Sequence, residues 1–252
     1  MKNESIKKAI KFGFCFLVLS VVIIFVGINI MEYEQEGEKN MPFELSKIVI
    51  ISTAEGIENK EENQDIKWKF NLIQNNDIYL SISKNKNYEK EDIIESVKIE
   101  NIQYNNLPKI GMVKAYMPNS LDGKLYNYSD EYIITDNLEY RGSLSSNEKT
   151  LEIGNQGGNV LISFVNTGIG TYESNDDVEI KHDGSLIKKI ERVEEDLKFD
   201  VSFDLVIKVK NKSYRTNISL NLPCGNILEN GTCTTEITDT NKYIFKREKN
   251  VL

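Results

Sequence analysis

His182 is the only histidine in the chain and stands in the stretch Lys181-His182-Asp183-Gly184-Ser185. An imidazole is the commonest general base near neutral pH. Asp-Gly is turn chemistry, however, so this histidine reads as the surface residue of a polar turn. No Gly-x-Ser-x-Gly elbow occurs, and no glycine-rich loop leads from a strand pattern into a helix pattern. Neither an activated serine nor a phosphate cradle is therefore encoded. Beyond Met31 the chain offers one histidine and two cysteines, too few to close a tetrahedral zinc site without carboxylates.

Two sets of carboxylates have chemistry to offer. Asn175, Asp176, Asp177, Glu179 and Asp183 place hard oxygens along one loop, the donor type that calcium takes, although their spacing is not that of an EF-hand. Asp130-Glu131 and Glu194-Glu195-Asp196 are candidates for a glycosidase-like acid and base. Such pairs are assembled from distant parts of a fold, which sequence does not show. No catalytic residue, cofactor site or metal-ligand set is specified by the sequence alone.

Cys224 and Cys233 are the only thiols after Met31, and Gly225-Asn226 and Asn230-Gly231 lie between them. Their spacing excludes a Cys-x-x-Cys redox site. In an oxidising compartment they are expected to bridge, contributing about 2 to 3 kcal/mol in the chain-entropy view of so short a loop. Lys208, Lys210, Lys212 and Arg215 crowd one predicted hairpin, and Lys246, Arg247 and Lys249 fall near the end. They read as charges that keep sheet edges soluble, with an anionic wall polymer as the other use for them.

What must position these groups begins with "FGFCFLVLSVVIIFVGINIM", residues 12–31, uncharged and bounded by Lys11 and Glu32. A helix of this length spans about 30 Å, the thickness of a bilayer's hydrocarbon core. No small-x-small cleavage site follows, so it reads as a retained anchor rather than a signal peptide. Lys2, Lys7, Lys8 and Lys11 precede it, whereas Glu32, Glu34, Glu36 and Glu38 follow. The positive flank stays inside, which puts the N-terminus in the cytoplasm and everything after Met31 outside, at a cell membrane.

The first 31 residues carry +3 of the whole chain's −8, leaving −11 on the remainder. That balance argues against nucleic acid as a partner. Only three alanines occur, at 9, 54 and 115, while β-branched and aromatic residues abound, a bias toward strands. The Lys/Asn/Ile richness also fits an AT-rich bacterial genome.

The expected class is all-β: a tail at 1–11, a transmembrane helix at 12–31 and a stalk at 32–42. Two β-sandwich modules, Ig-like by analogy, follow at 43–144 and 145–252, divided where "RGSLSSNEKT" interrupts the periodicity. One large sandwich is the rival arrangement. "FELSKIVIIST", "SVKIENIQY", "GMVKAYM" and "EYIIT" read as strands, and "EKEDIIES" as a short helix. Asn75-Asn76-Asp77 reads as a hairpin turn, and 186–190 as strand in preference to helix. In "FDVSFDLVIKVKNKSYRTNISLNLP" apolar residues are odd-numbered first and even-numbered afterwards. The parity requires an even loop. Asn211-Lys212 is the expected one, pairing Val209 with Tyr214 and Leu205 with Ile218.

The function this supports is a membrane-anchored extracytoplasmic binding protein, or an accessory subunit of a surface or envelope complex, with a protein or surface-polymer partner. The alternative is an extracytoplasmic carboxylate- or metal-dependent hydrolase.

Overall fold

The computed structural model describes residues 11–28, 41–59, 66–118, 128–147, 150–175, 181 and 184–248. The expected tail and stalk lie outside these. The first element, α1 (Lys11–Ile28), is long and apolar enough to cross a membrane, and none of it is buried against the rest of the chain. Everything else is mainly strand. The order is β1 (Phe43–Glu58), β2 (Trp68–Lys84), β3 (Ile94–Asn106), β4 (Met112–Tyr116), a 3₁₀ turn (Asp130–Tyr132), β5 (Leu138–Gly142), β6 (Leu151–Ile153) and β7 (Gly157–Ser174). Two short helices, α2 (Gly184–Lys189) and α3 (Glu194–Leu197), lead into β8 (Phe199–Val209) and β9 (Lys212–Leu222). Then come α4 (Ile227–Asn230), β10 (Thr232–Ile237) and β11 (Lys246–Arg247).

The strands form two sheets, ordered β10-β1-β2-β7-β4 and β11-β9-β8-β3-β5-β6. Their pairing corrects the expected division at residue 145. β1 pairs with β10, β2 with β7 and β3 with β8, so each sheet draws strands from both sides of that point. One cluster of buried side chains joins them. Ile48, Ile78, Leu80 and Phe164 of the first sheet pack with Ile99, Phe203, Leu205 and Ile218 of the second, and the Phe164 and Phe203 rings stack at 6.2 Å. Pooling strands from both halves makes one large core.

A second cluster lies beneath the helices, where Leu186, Ile187, Ile227 and Leu228 cover Ala54, Phe70, Leu72 and Ile169. Here Leu186, Ile187 and Ile190 fall on a helix and its closing turn, not on the expected strand. Gly184 permits the approach, because a Cβ there would lie 2.2 Å from the Ile227 carbonyl oxygen. Between the clusters runs a buried polar belt of Ser52, Gln74, Asn76 and Asn166, all fully buried. Ser52 donates to Asn76 Oδ1 at 2.7 Å and Asn76 Nδ2 donates to the Phe164 carbonyl at 3.0 Å.

That belt occupies the place of the expected turn. β2 is one strand of 17 residues, and Asn75-Asn76-Asp77 sits mid-sheet between β1 and β7. β7 bulges opposite Ile73, with Gly168 at φ +72°, a conformation glycine adopts without strain. Two further expectations fail for the same reason, that tertiary pairing outweighs local pattern. "EKEDIIES" forms no helix and its end begins β3, while "EYIIT" is a 3₁₀ turn followed by a single bridge from Ile133 to Tyr116.

The β8–β9 hairpin keeps the expected parity but not the expected register. Its loop is Lys210-Asn211, and Val209 faces Lys212, Ile207 faces Tyr214, Leu205 faces Thr216 and Phe203 faces Ile218. A shift of two leaves every apolar side chain on the core face. What selects this register is the other face and the strand ends. It pairs all of Phe199–Val209 with all of Lys212–Leu222, and sets Asp204 opposite Asn217 and Asp200 opposite Asn221.

Candidate functional site

The carboxylates singled out from sequence disperse in the fold. Glu194 and Glu195 pair with Lys198 at 3.0 and 2.5 Å, and Asp196 accepts the Val193 amide at 3.2 Å as a helix cap. Asp130 pairs with Lys114 at 3.4 Å. These are surface interactions, which contribute little individually. Asn175 accepts the Lys67 amide at 2.8 Å. Its expected companions Asp176, Asp177, Glu179 and Asp183, with His182, lie outside the described residues. Among the described residues no group of three or more His, Cys, Asp or Glu side chains is placed to hold a metal.

The basic hairpin is not a free cationic patch. Lys208 pairs with Glu95 at 3.2 Å and Lys210 with Asp92. Arg215 contacts Glu100, Asp204 (2.8 Å) and Glu248 (2.6 Å) on the outward face of the second sheet. A bulge between Glu100 and Gln103 carries Asn101 at φ +54° and turns its amide onto Asp204 at 2.8 Å. Burial alone would raise the Asp204 carboxyl, but hydrogen bonds from Asn101, Asn217 and Arg215 outweigh it and hold the group below the usual carboxylate range.

The Cys224–Cys233 bridge is not formed in the structure, where both side chains are thiols. They are nonetheless neighbours. Cys224 Sγ lies 3.4 Å from the Cys233 carbonyl oxygen and 3.5 Å from that of Ile50. The Cys224 amide donates to Ser52 Oγ at 3.0 Å, tying this loop to the buried polar belt. α4 fills the loop, capped by Asn226, whose side chain accepts the Leu228 and Glu229 amides.

One carboxyl group with clearly altered chemistry was read from sequence as a turn residue. Asp77 lies on the outward face of the first sheet, in its central strand, flanked by Ile51 on β1 and Ser163 on β7. Ser163 donates to its Oδ1 at 2.6 Å. Burial pushes the Asp77 carboxyl up to about 6 against the pull of that hydrogen bond, and the nearby Glu55 carboxylate adds to the rise. The Tyr128 hydroxyl is also pushed up, by burial and then by the charges of Asp77 and Glu55, while it hydrogen-bonds Ser163. Thr53 donates to Glu55 at 3.1 Å. Asn75, on the same face, is 2 % exposed, and its Oδ1 has no hydrogen-bond partner among the described residues. Tyr116, Tyr128, Tyr132 and Ile133 pack with Ile73 and Val165 to form a small apolar roof beside this polar group.

A signal for this site does exist in the sequence. Trp68, Phe70, Leu72, Ile78, Leu80 and Ile82 are all even-numbered, so one face continues unbroken through Gln74 and Asn76. A single strand of that parity places Asn75 and Asp77 on the opposite face. Comparison of the chain with protein-family models, with curated proteins and with solved structures finds no match.

Proposed function

We propose that this protein is a single-pass, membrane-anchored extracytoplasmic binding protein or accessory subunit of a surface or envelope complex. The observation that carries the reading is α1, an apolar helix with none of its length buried against the β body. An exposed helix of that kind is unstable in water and stable in lipid. The lysines before it and glutamates after it favour an inside N-terminus. The β body then faces outward, presenting sheet faces and edges to a protein or surface polymer.

External protease on intact cells is expected to remove the 32–252 portion and leave the helix behind. Release of a mature chain beginning near residue 30 would defeat the anchor. Crosslinking in intact membranes identifies the partner. In that compartment a disulfide-exchange catalyst would take two electrons from Cys224 and Cys233, with loss of two protons and formation of one S–S bond. Unreduced peptide mass spectrometry of protein from its native compartment reads that bridge directly, and two separately alkylated thiols would exclude it.

The hydrolase reading has one observation in its favour. A carboxyl pushed up to about 6 beside a second carboxylate, as Asp77 is beside Glu55, matches the division of acid and base roles in carboxylate hydrolases. Loss of surface-polymer hydrolysis in both Asp77→Asn and Glu55→Gln would move the assignment to that class.

A further inference from the structure

The outward face of the first sheet collects oxygen acceptors, and one of them, Asn75 Oδ1, is buried and unpartnered among the described residues. Asn75 and Asp77 are two residues apart on one strand, so their side chains leave the same face with Cα atoms about 7 Å apart. Their strand neighbours across the sheet are Thr53 and Ile51 on β1 and Val165 and Ser163 on β7. The hydroxyls of Ser163 and Thr53 each donate to a carboxylate, Asp77 and Glu55 respectively, and the Tyr128 hydroxyl engages Ser163. Asn75 Oδ1 is buried with no hydrogen bond among the described residues. Asp77 accepts the Ser163 hydroxyl and, among the described residues, forms no ion pair with a lysine or arginine. Lys114, opposite Val165 on β4, is engaged by Asp130.

A buried amide oxygen that accepts nothing costs free energy, as does a desolvated carboxylate beside another. One positive ion relieves both. We propose that this face binds a hard divalent cation of the calcium class, held by the Asp77 carboxylate and Asn75 Oδ1, with Ser163 Oγ beside them and Glu55 at the rim. The donor set is entirely oxygen, with no imidazole or thiolate, which selects calcium or magnesium over zinc and copper. The neutral amide and the irregular arrangement suit calcium's larger and more flexible shell better than magnesium's strict octahedron. With two carboxylates the expected dissociation constant is about 10⁻⁴ to 10⁻³ M, the range of extracellular calcium modules. Its proposed ligands are not those of the acidic stretch at 175–183, and it does not depend on the membrane assignment.

The test uses the purified full chain in detergent, titrated with calcium chloride after treatment with a chelator. Thermal melts and terbium luminescence sensitised by Tyr79 and Tyr128 serve as readouts. Calcium is expected to raise the melting temperature of the parent chain and of the Asp176→Asn/Asp177→Asn double variant alike. Asp77→Asn should bind at least roughly tenfold more weakly while melting cooperatively in chelator at the same temperature or higher. Asn75→Ala should weaken binding as well, and it carries the test on the same criterion should Asp77→Asn fail to melt cooperatively. The proposal is overturned by a calcium response that survives in Asp77→Asn, by one lost only in the 176/177 variant, or by none up to about 10 mM, far above the affinity of such modules.

Discussion

Asp77 and Asp204 occupy equivalent places, each on the outward face of an interior strand, one in each sheet. Their carboxyl groups are nevertheless pushed in opposite directions, Asp77 up to about 6 and Asp204 below the ordinary range. The difference lies in what surrounds them. Asp204 meets an arginine and two amide donors, so its charge is solvated by the protein. Asp77 meets one hydroxyl beside a cluster of tyrosines and feels the charge of Glu55, so its charge is removed from water with only a single hydrogen bond to offset the loss. Two faces with similar polarity in sequence thus do different things: the second sheet's face is a satisfied hydrogen-bond lattice, and the first sheet's face holds a poised anion.

The largest expected effect tests whether the two faces share one foundation. Leu80→Ala in the first sheet and Leu205→Ala in the second should each destabilise by about 2 to 5 kcal/mol, as fully buried large-to-small changes. Both should lower a single cooperative unfolding transition, read by circular dichroism in denaturant. Two separable transitions, each sensitive to only one variant, would restore the two-module division.

Next is the sign of Asp77. Its folded-state pKa is raised from 3.8 to about 6, so between these values the native state binds more protons than the unfolded chain and stability falls as pH rises. The cost is complete above about 6 and relieved as pH drops toward 3.8. In chelator, Asp77→Asn is therefore expected to be more stable than the parent chain at pH 7.5 by up to about 2 to 3 kcal/mol. The advantage should vanish near pH 4. Denaturant titrations across that range check both halves, and destabilisation at pH 7.5 would show that the charge is compensated after all.

Arg215→Ala should do the opposite on the other face, destabilising by about 1 to 2 kcal/mol at pH 7 after allowance for solvent screening. Asp204 has a lowered folded-state pKa, so the stability it contributes is present above its unfolded value of 3.8 and is lost as pH falls through the folded one. The Arg215→Ala deficit should shrink accordingly in acid. Lys208→Ala, at an exposed position paired with Glu95, should change stability by no more than about 0.5 kcal/mol.

How much of this was legible varies with range. In the β8–β9 hairpin parity alone fixes which side chains face the core, since Phe203, Leu205 and Ile207 are buried and Lys208 is not. Parity does not distinguish registers that differ by two, and the Asp204–Asn217 and Asp200–Asn221 pairs make that choice. Asn75-Asn76-Asp77 reads as a turn because each residue favours one locally. Flanked by β1 and β7, the same residues gain a full set of strand hydrogen bonds and a polar belt for Asn76. The helix at Leu186–Ile187 likewise depends on Phe70, Leu72 and Ile227, far away in sequence, to cover its apolar side.

By itself the sequence determined the β-rich class, the apolar N-terminal helix and the inward faces of β2, β8 and β9. These are properties of period and composition, set within ten or twenty residues. Only the tertiary structure decided that strands from both halves interleave in shared sheets, and that Asp77 is buried within reach of Glu55's charge while Asp204 meets an arginine. A side chain's charge environment is built from neighbours that the chain brings together across about a hundred residues, as Glu100 and Arg215 are brought together here, and no local pattern records which neighbours those will be.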